Sequence, residues 1–274
     1  RVARLDERGR TPTLGTVLMS DDPADRRFVE LKHDACERVG IGTRDVRVDP
    51  DEPAARLHDA VEGLSADPGV DAVFVQVPLP DHVRLSGVRE RVDPGKDVDC
   101  LAHGNLGRLV AGDPRFVPAT TAAVLALLDA YDVPVAGRDV VVVGRSPVIG
   151  RPLANRLLQD EAPGNATVTV CHSRTADLGE KTRRADVVVT ACGVPELVDG
   201  SMVSPGVAVV DVSANRRPAD TDRGYEVVGD VDFESAKEKA AAITPVPGGV
   251  GPVTLAALLE NVVLAAESRT RDGE

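Results

Sequence analysis

The sequence has no tryptophan, two tyrosines and four phenylalanines, so aromatic residues make up only 2% of it. Stacking platforms for nucleic-acid bases are therefore scarce. Positive charge is also short: 32 Lys and Arg face 44 Asp and Glu, for a formal net charge of −12. A protein that tracks a phosphate backbone needs the opposite balance, so no nucleic-acid partner is expected. No hydrophobic run approaches the ~18 residues of a membrane span. The opening RVARLDERGRTPTLG is polar and Arg-rich, unlike a secretory signal. No membrane partner is expected either. The four cysteines (Cys36, Cys100, Cys171, Cys192) are far apart and include no CxxC pair. That pattern predicts no zinc site and no disulfide framework, but reduced, mostly buried thiols in a cytoplasmic protein.

Lysine is the scarcest charged residue. Only Lys32, Lys96, Lys181, Lys237 and Lys239 are present; the other basic residues are arginine. An acidic excess with few lysines fits a halophilic protein, whose strong negative field is screened by high salt. A genome favouring Arg, Ala, Asp and Gly codons is the other reading.

The chain has 274 residues, 42% of them hydrophobic. That is one large domain or two small ones. Strands are read at 13–19, 44–48, 72–77, 140–143, 167–171, 187–191 and 207–212. Helices are read at 23–39, 52–64, 122–131, 149–158 and 254–268. Strands alternating with helices predict an α/β fold built on parallel sheets. The boundary falls near 115–121, with the last helix packing back on the first domain.

The segment VVVVGRSPVIG (140–150) runs a valine strand into Gly144-Arg145-Ser146, and Gly150 opens a helix. Glycines here admit a pyrophosphate to the helix N-terminus. The spacing is not GxGxxG, and an ordinary strand-to-helix turn reads the same way. The next strand ends in Cys171-His172-Ser173-Arg174-Thr175. An NAD site usually places an acidic residue there for the ribose 2′-hydroxyl. Ser173 and Arg174, with Arg145 nearby, suit a 2′-phosphate instead, so NADP is the expected cofactor.

In helix 23–39, Phe28, Leu31, Ala35, Cys36 and Val39 form one apolar face, and Lys32 lies on it. Such a lysine either snorkels to the rim or is desolvated into a proton carrier. Gln76 interrupts an apolar strand near its C-terminal end, satisfied by backbone or facing a ligand. Asp99 is either a solvated loop carboxylate or part of a site.

Six segments occur in order: VQVPLP (75–80), KDVD (96–99), VVVGRSPVIGRP (141–152), ATVTVCHSRT (166–175), GDVDF (229–233) and ITPVPGGVGPVT (243–254). Together they resemble the bifunctional methylenetetrahydrofolate dehydrogenase/methenyltetrahydrofolate cyclohydrolase family, over about 12–266. The resemblance implies a folate-binding catalytic α/β domain (1–118, with 252–274 returning to it). It also implies a Rossmann-like NADP-binding domain (119–251), usually in a homodimer. It implies oxidation of methylenetetrahydrofolate, then hydrolysis of the methenyl product to 10-formyltetrahydrofolate, in one-carbon metabolism and purine biosynthesis. Lys32 would transfer protons and activate water, Gln76 would tune Lys32, and Asp99 would hold the pterin ring. Phe28, Val77, Pro78 and Leu79 would contact the folate, as would Pro247, Gly248 and Gly249. Arg145, Ser146 and Ser173 would contact the 2′-phosphate. Gly144, Ile149, Gly150, His172, Arg174 and Thr175 would complete the cofactor site. Gly251 would join Gly248 and Gly249 in a turn near nicotinamide and folate.

The chain departs from this pattern at several places. Phe28 replaces a tyrosine, removing a hydroxyl one helical turn before Lys32. Cys100 replaces a glycine. Ala119 and Thr121 replace the Cys and Pro of a P-C-T-P turn. The chain also starts about one helix later than the usual first domain. A dehydrogenase with a weakened cyclohydrolase step, and a non-catalytic folate or dinucleotide-binding protein, therefore stand beside the bifunctional reading. The charge balance predicts a melting temperature that rises between ~0.1 and ~2 M KCl; a flat curve by differential scanning fluorimetry would contradict salt adaptation.

Overall fold

Alternating apolar strands and helices build two units, residues 1–119 with 255–274 and residues 120–254. The structure, a computed structural model, describes residues 1–221 and 224–271.

The first unit contains α1 (Val2–Asp6), β1 (Thr13–Leu18), α2 (Pro23–Val39), β2 (Gly42–Arg47), α3 (Ala54–Ala66), β3 (Ala72–Val75), α4 (Leu85–Arg89) and α5 (His103–Val110). Its sheet is parallel, in the order β2-β1-β3. Helix α2 has clear end signals. The Asp22 side chain accepts the Ala24 N–H at 2.7 Å, Pro23 takes the first helical position, and Gly40 ends the helix at φ 78°. Its buried face differs from the one predicted. Val29, Ala35 and Cys36 are buried, whereas Phe28 and Val39 are each 46% exposed. A polar anchor accompanies this rotation: Thr16 Oγ1 on β1 bonds His33 Nε2 at 2.9 Å, so the 29–33–36 stripe faces the sheet.

The second unit contains α6 (Ala119–Ala130, whose first residue belongs to the first unit), β4 (Asp139–Val143), α7 (Gly150–Leu157), β5 (Thr167–Cys171), α8 (Leu178–Arg183) and β6 (Val187–Thr190). It continues with β7 (Ala208–Asp211), β8 (Asn215–Pro218), β9 (Tyr225–Val228), α9 (Phe233–Ala236) and β10 (Ala242–Ile243). Its parallel sheet has the order β10-β7-β6-β4-β5, and β8 and β9 form an antiparallel hairpin. Alternate valines serve two cores. Val140, Val142, Val187 and Val189 enter one; Val141, Val143, Val188 and Val209 enter the other. Covering on both faces explains why these strands read as unbroken apolar runs. The hairpin and the short helices α4, α5, α8 and α9 escape sequence analysis, because none is long enough to establish a period.

The chain ends in α10 (Val250–Arg271), four residues earlier at its start than predicted. By length and composition alone, 250–269 could cross a membrane, which corrects the reading that no segment qualifies. Its apolar side chains are used internally. Leu258, Val262, Ala265 and Ala266 are at most 1% exposed and pack with Leu5, Leu14, Ile41 and Phe74. The four cysteines are free thiols; Cys36, Cys100 and Cys171 are buried and Cys192 is half-buried.

Asp71, 2% exposed, ties the first unit together. It pairs with Arg10, accepts the Thr13 N–H at 3.0 Å and lies 3.8 Å from Arg269 of α10. Asp71→Asn is expected to cost about 2–3 kcal/mol, read as a lower midpoint in urea unfolding. An unchanged midpoint would show that the arginines resolvate freely.

Candidate active site

In the first unit, α2 brings Lys32 over the C-terminal end of β3. Lys32 is half-buried. Its Nζ donates to Gln76 Oε1 at 3.2 Å and to the Phe28 carbonyl at 3.3 Å. The same atom sits 4.5 Å from the centroid of the Phe74 ring and 6.0 Å from that of Phe28. No carboxylate among the described residues lies within ion-pair distance of it. Burial therefore dominates and lowers its pKa to about 8, against the more distant fields of Asp99 and Asp25, which raise it.

Gln76 is the first residue beyond β3, which stops at Val75, two positions short of the expected strand end. It is 8% exposed. Its Nε2 donates to the Val77 carbonyl at 2.8 Å, so Oε1 is the atom turned to Lys32. The amide is thus satisfied by backbone and by the lysine at once. Val77, Pro78 and Leu79 follow directly, with a cis Val77–Pro78 bond and Pro78 exposed.

The KDVD segment runs beside β3 through a parallel bridge between Val73 and Asp97. Asp97 accepts the Leu101 and Ala102 N–H groups and Asn105 Nδ2, each at 2.8 Å. Asn261 of α10 donates to the carbonyls of Val98 and Val117, both at 2.8 Å. These braces hold Asp99 half-buried, with Oδ1 accepting the Ala119 N–H at 3.2 Å. Burial raises its pKa to about 7; Asp97 adds to the rise, while the Ala119 N–H and Lys32 oppose it. Cys100, next in line, is at φ 57° and 2% exposed, a left-handed backbone that glycine adopts more readily. Lys32, Gln76, Asp99 and Phe28 thus share one unit, with the Phe74 ring against the Lys32 amine. The sequence marked Phe74 only as an apolar strand residue.

The second unit carries the glycine turn. Gly144, at φ 135°, follows β4; a Cβ there would lie 2.2 Å from the Ala191 carbonyl oxygen. A Cβ on Gly150 would lie 2.2 Å from the Gly144 oxygen. Both positions therefore exclude any side chain. Ser146 Oγ accepts the Ile149 N–H at 3.0 Å, shaping the entry to α7. β5 pairs with β4 so that Cys171 lies beside Val143, which sets 172–175 next to this turn. Thr175 Oγ1 accepts the His172 N–H at 2.8 Å, and His172 Nδ1 accepts the Arg174 N–H at 3.1 Å. Arg145, Ser173 and Arg174 are exposed. No carboxylate stands among 172–175 to meet a ribose 2′-hydroxyl. Close backbone approach at a helix start, flanked by arginines, fits a dinucleotide carrying a 2′-phosphate.

Pro247, Gly248 and Gly249 also belong to the second unit, after a cis Val246–Pro247 bond, with Gly248 at φ 108°. Gly251 is not part of that turn. It is the second residue of α10, because the helix starts at Val250. Sequence reasoning missed Asp230, which accepts six hydrogen-bond donors although it sits in the quoted GDVDF segment. It also missed Asn261, whose sign was one amide, beside Glu260, in a largely apolar stretch of α10.

Residues 1–99 match the tetrahydrofolate dehydrogenase/cyclohydrolase catalytic domain, and residues 118–270 match the NAD(P)-binding domain of the same family. The chain is 54% identical over 269 residues to the bifunctional protein FolD of Haloquadratum walsbyi, covering 98% of this chain and 86% of that one. The bifunctional FolD dehydrogenase/cyclohydrolase of Campylobacter jejuni superposes with a TM-score of 0.89 at 40% identity, covering 98% and 92% of the two chains. The Trypanosoma brucei enzyme, solved with NADP cofactor and inhibitor, gives 0.93 at 37% identity, with the same coverage. The chain belongs to the tetrahydrofolate dehydrogenase/cyclohydrolase family.

Proposed function

We propose that the protein oxidises 5,10-methylenetetrahydrofolate to 5,10-methenyltetrahydrofolate with NADP+ and hydrolyses that product to 10-formyltetrahydrofolate. The observation that carries the reading is the Lys32 amine, half-buried on Phe74 with only neutral partners. Its pKa near 8 lets it exist in both protonation states near neutral pH.

NADP+, when bound, supplies the two-electron acceptor for the methylene carbon. Gly144 and Gly150 would admit its pyrophosphate. Ser146, Arg145 and Ser173 would meet the 2′-phosphate, with Ile149, His172, Arg174 and Thr175 around them. The first reaction asks mainly for orientation. Asp99 would hold the pterin through its amino and ring N–H groups, while Phe28, Val77, Pro78 and Leu79 line its folate subsite. The family resemblance further assigns substrate contacts to Pro247, Gly248 and Gly249, and a cofactor contact to Gly251. In the second reaction the Lys32 amine accepts a proton as water adds to the methenyl carbon. The ammonium then returns that proton to N5 as the carbon–N5 bond breaks, and the adduct's hydroxyl proton passes to the freed amine and on to solvent as its oxygen becomes the carbonyl of the formyl group on N10. Gln76 aims the amine without adding a charge that would keep it protonated. The enzyme acts in the cytoplasm as a homodimer, by the family resemblance, and its acid surface supports a halophilic setting.

A second reading has one observation behind it. Phe28 places a ring, but no hydroxyl, one turn before Lys32. It makes the protein a dehydrogenase with a slow second step.

A coupled assay in high salt separates the readings. NADPH formation without methenyl build-up, and faster with NADP+ than NAD+, is expected. Accumulating methenyl absorbance would favour the dehydrogenase alone, and no NADPH at any salt concentration would leave only a binding protein. The pH profile tests the lysine. Free amine grows as pH rises through about 8, so kcat/KM for methenyl hydrolysis should rise there once the buffer reaction is subtracted. Gln76→Glu sets a carboxylate against the ammonium and should move that limb up by ~1–3 units. Lys32→Met should remove it. An unmoved limb in Gln76→Glu would mean that another group titrates.

A further inference from the structure

Asp230 is fully buried. Its Oδ2 accepts the Cys192 N–H at 2.7 Å, the Gly193 N–H at 3.2 Å, the Ser213 hydroxyl at 2.7 Å and the Cys192 thiol at 3.1 Å. Its Oδ1 accepts the Val194 N–H at 2.8 Å and Asn215 Nδ2 at 2.9 Å. Burial alone would raise its pKa, but these donors hold the carboxyl below its usual range. The carboxylate therefore stays charged and locks two loops to each other.

The place of those loops gives the lock a purpose. One follows β6 and the other follows β7. In the order β10-β7-β6-β4-β5, the chain passes from β4 to β5 on one side and then to β6 on the other. Ligands of open α/β sheets bind at that switch, beyond the carboxyl ends of the strands. The β6 loop begins at Ala191, whose carbonyl is the atom that leaves Gly144 no room for a Cβ. The segment pinned by Asp230 therefore abuts the glycine turn. Three successive N–H groups, at 192–194, would otherwise form an anion-binding nest. Asp230 already fills it, so ligand charge is read at Arg145, Ser146 and Ser173 instead.

We infer that Asp230 is a positioning residue for the dinucleotide. Fully buried and spent on protein donors, it would act through the 191–194 wall that it preforms. The inference rests on the reading that the second unit binds NADP+. Asp230→Asn keeps the volume but turns N–H groups toward donors that need an acceptor. Ser213→Ala removes one donor with little risk to folding.

The experiment uses the full chain in high salt and measures NADP+ binding by calorimetry, melting temperature, and KM for each substrate. Asp230→Asn is expected to weaken NADP+ binding on the order of 10- to 100-fold. KM for NADP+ should rise, with KM for methylenetetrahydrofolate unchanged. Ser213→Ala should weaken NADP+ binding by a smaller factor, and it decides the matter if Asp230→Asn does not fold. A folded Asp230→Asn with parental affinity, parental affinity in Ser213→Ala beside an unfolded Asp230→Asn, or equal rises in both KM values would overturn the inference alone. An unsubstituted protein that binds no NADP+ would overturn the cofactor reading, and this inference with it.

Discussion

The first unit is organised around a cost that it does not fully offset. An ammonium has been taken partly out of water and given an amide oxygen, a carbonyl and an aromatic face, but no counter-ion. A carboxylate at Gln76 would stabilise the ammonium and leave less free amine near neutral pH. The neutral amide keeps the amine near its deprotonation point. That arrangement demands firm support, because an unpaired charge would otherwise swing out to solvent. The Asp22 cap, the Gly40 stop and the Thr16–His33 contact provide it by fixing α2 on the sheet.

Two aspartates in one short segment show how hydrogen bonding assigns roles. Asp97 receives three donors and serves as a brace, although burial still raises its pKa; its neighbour Asp99 receives one, and burial raises its pKa to about 7. Lys96 in the same segment is another brace, with its Nζ spent on the carbonyls of Leu64 and Asp67. Residue type says little about such a cluster; the number of donors each group meets says more.

In the second unit the constraint is steric. Backbone atoms at Gly144 and Gly150 pack so closely that neither position can hold a Cβ. Asp230 supplies the complementary electrostatic part by gathering loose N–H groups into one charged knot.

Periodicity sufficed for the longer parallel strands and helices, because each repeats its pattern over several residues and buries both faces or one stripe; the two-residue β10 is too short to show one. Lys32, Gln76 and Asp99 were visible as polar residues in apolar or turn contexts, with motifs to name them. The face of α2 was misjudged because Phe28 is apolar by type yet lies at the rim, and only the Thr16–His33 contact shows which stripe meets the sheet. Gly251 was misplaced because a glycine-proline pair reads as a turn, while proline in a first helical turn needs no N–H partner. Phe74 as a platform, Asn261 as a tie and Asp230 as a knot were hidden for one reason. Each acts on residues far away in the chain, and no local pattern records such a partner. The amino-acid order by itself determined the longer parallel strands, the glycine turn, the charge balance and the family motifs. Tertiary structure alone decided which groups lose water and which donors reach them, and those two quantities set the protonation of Lys32 and Asp99.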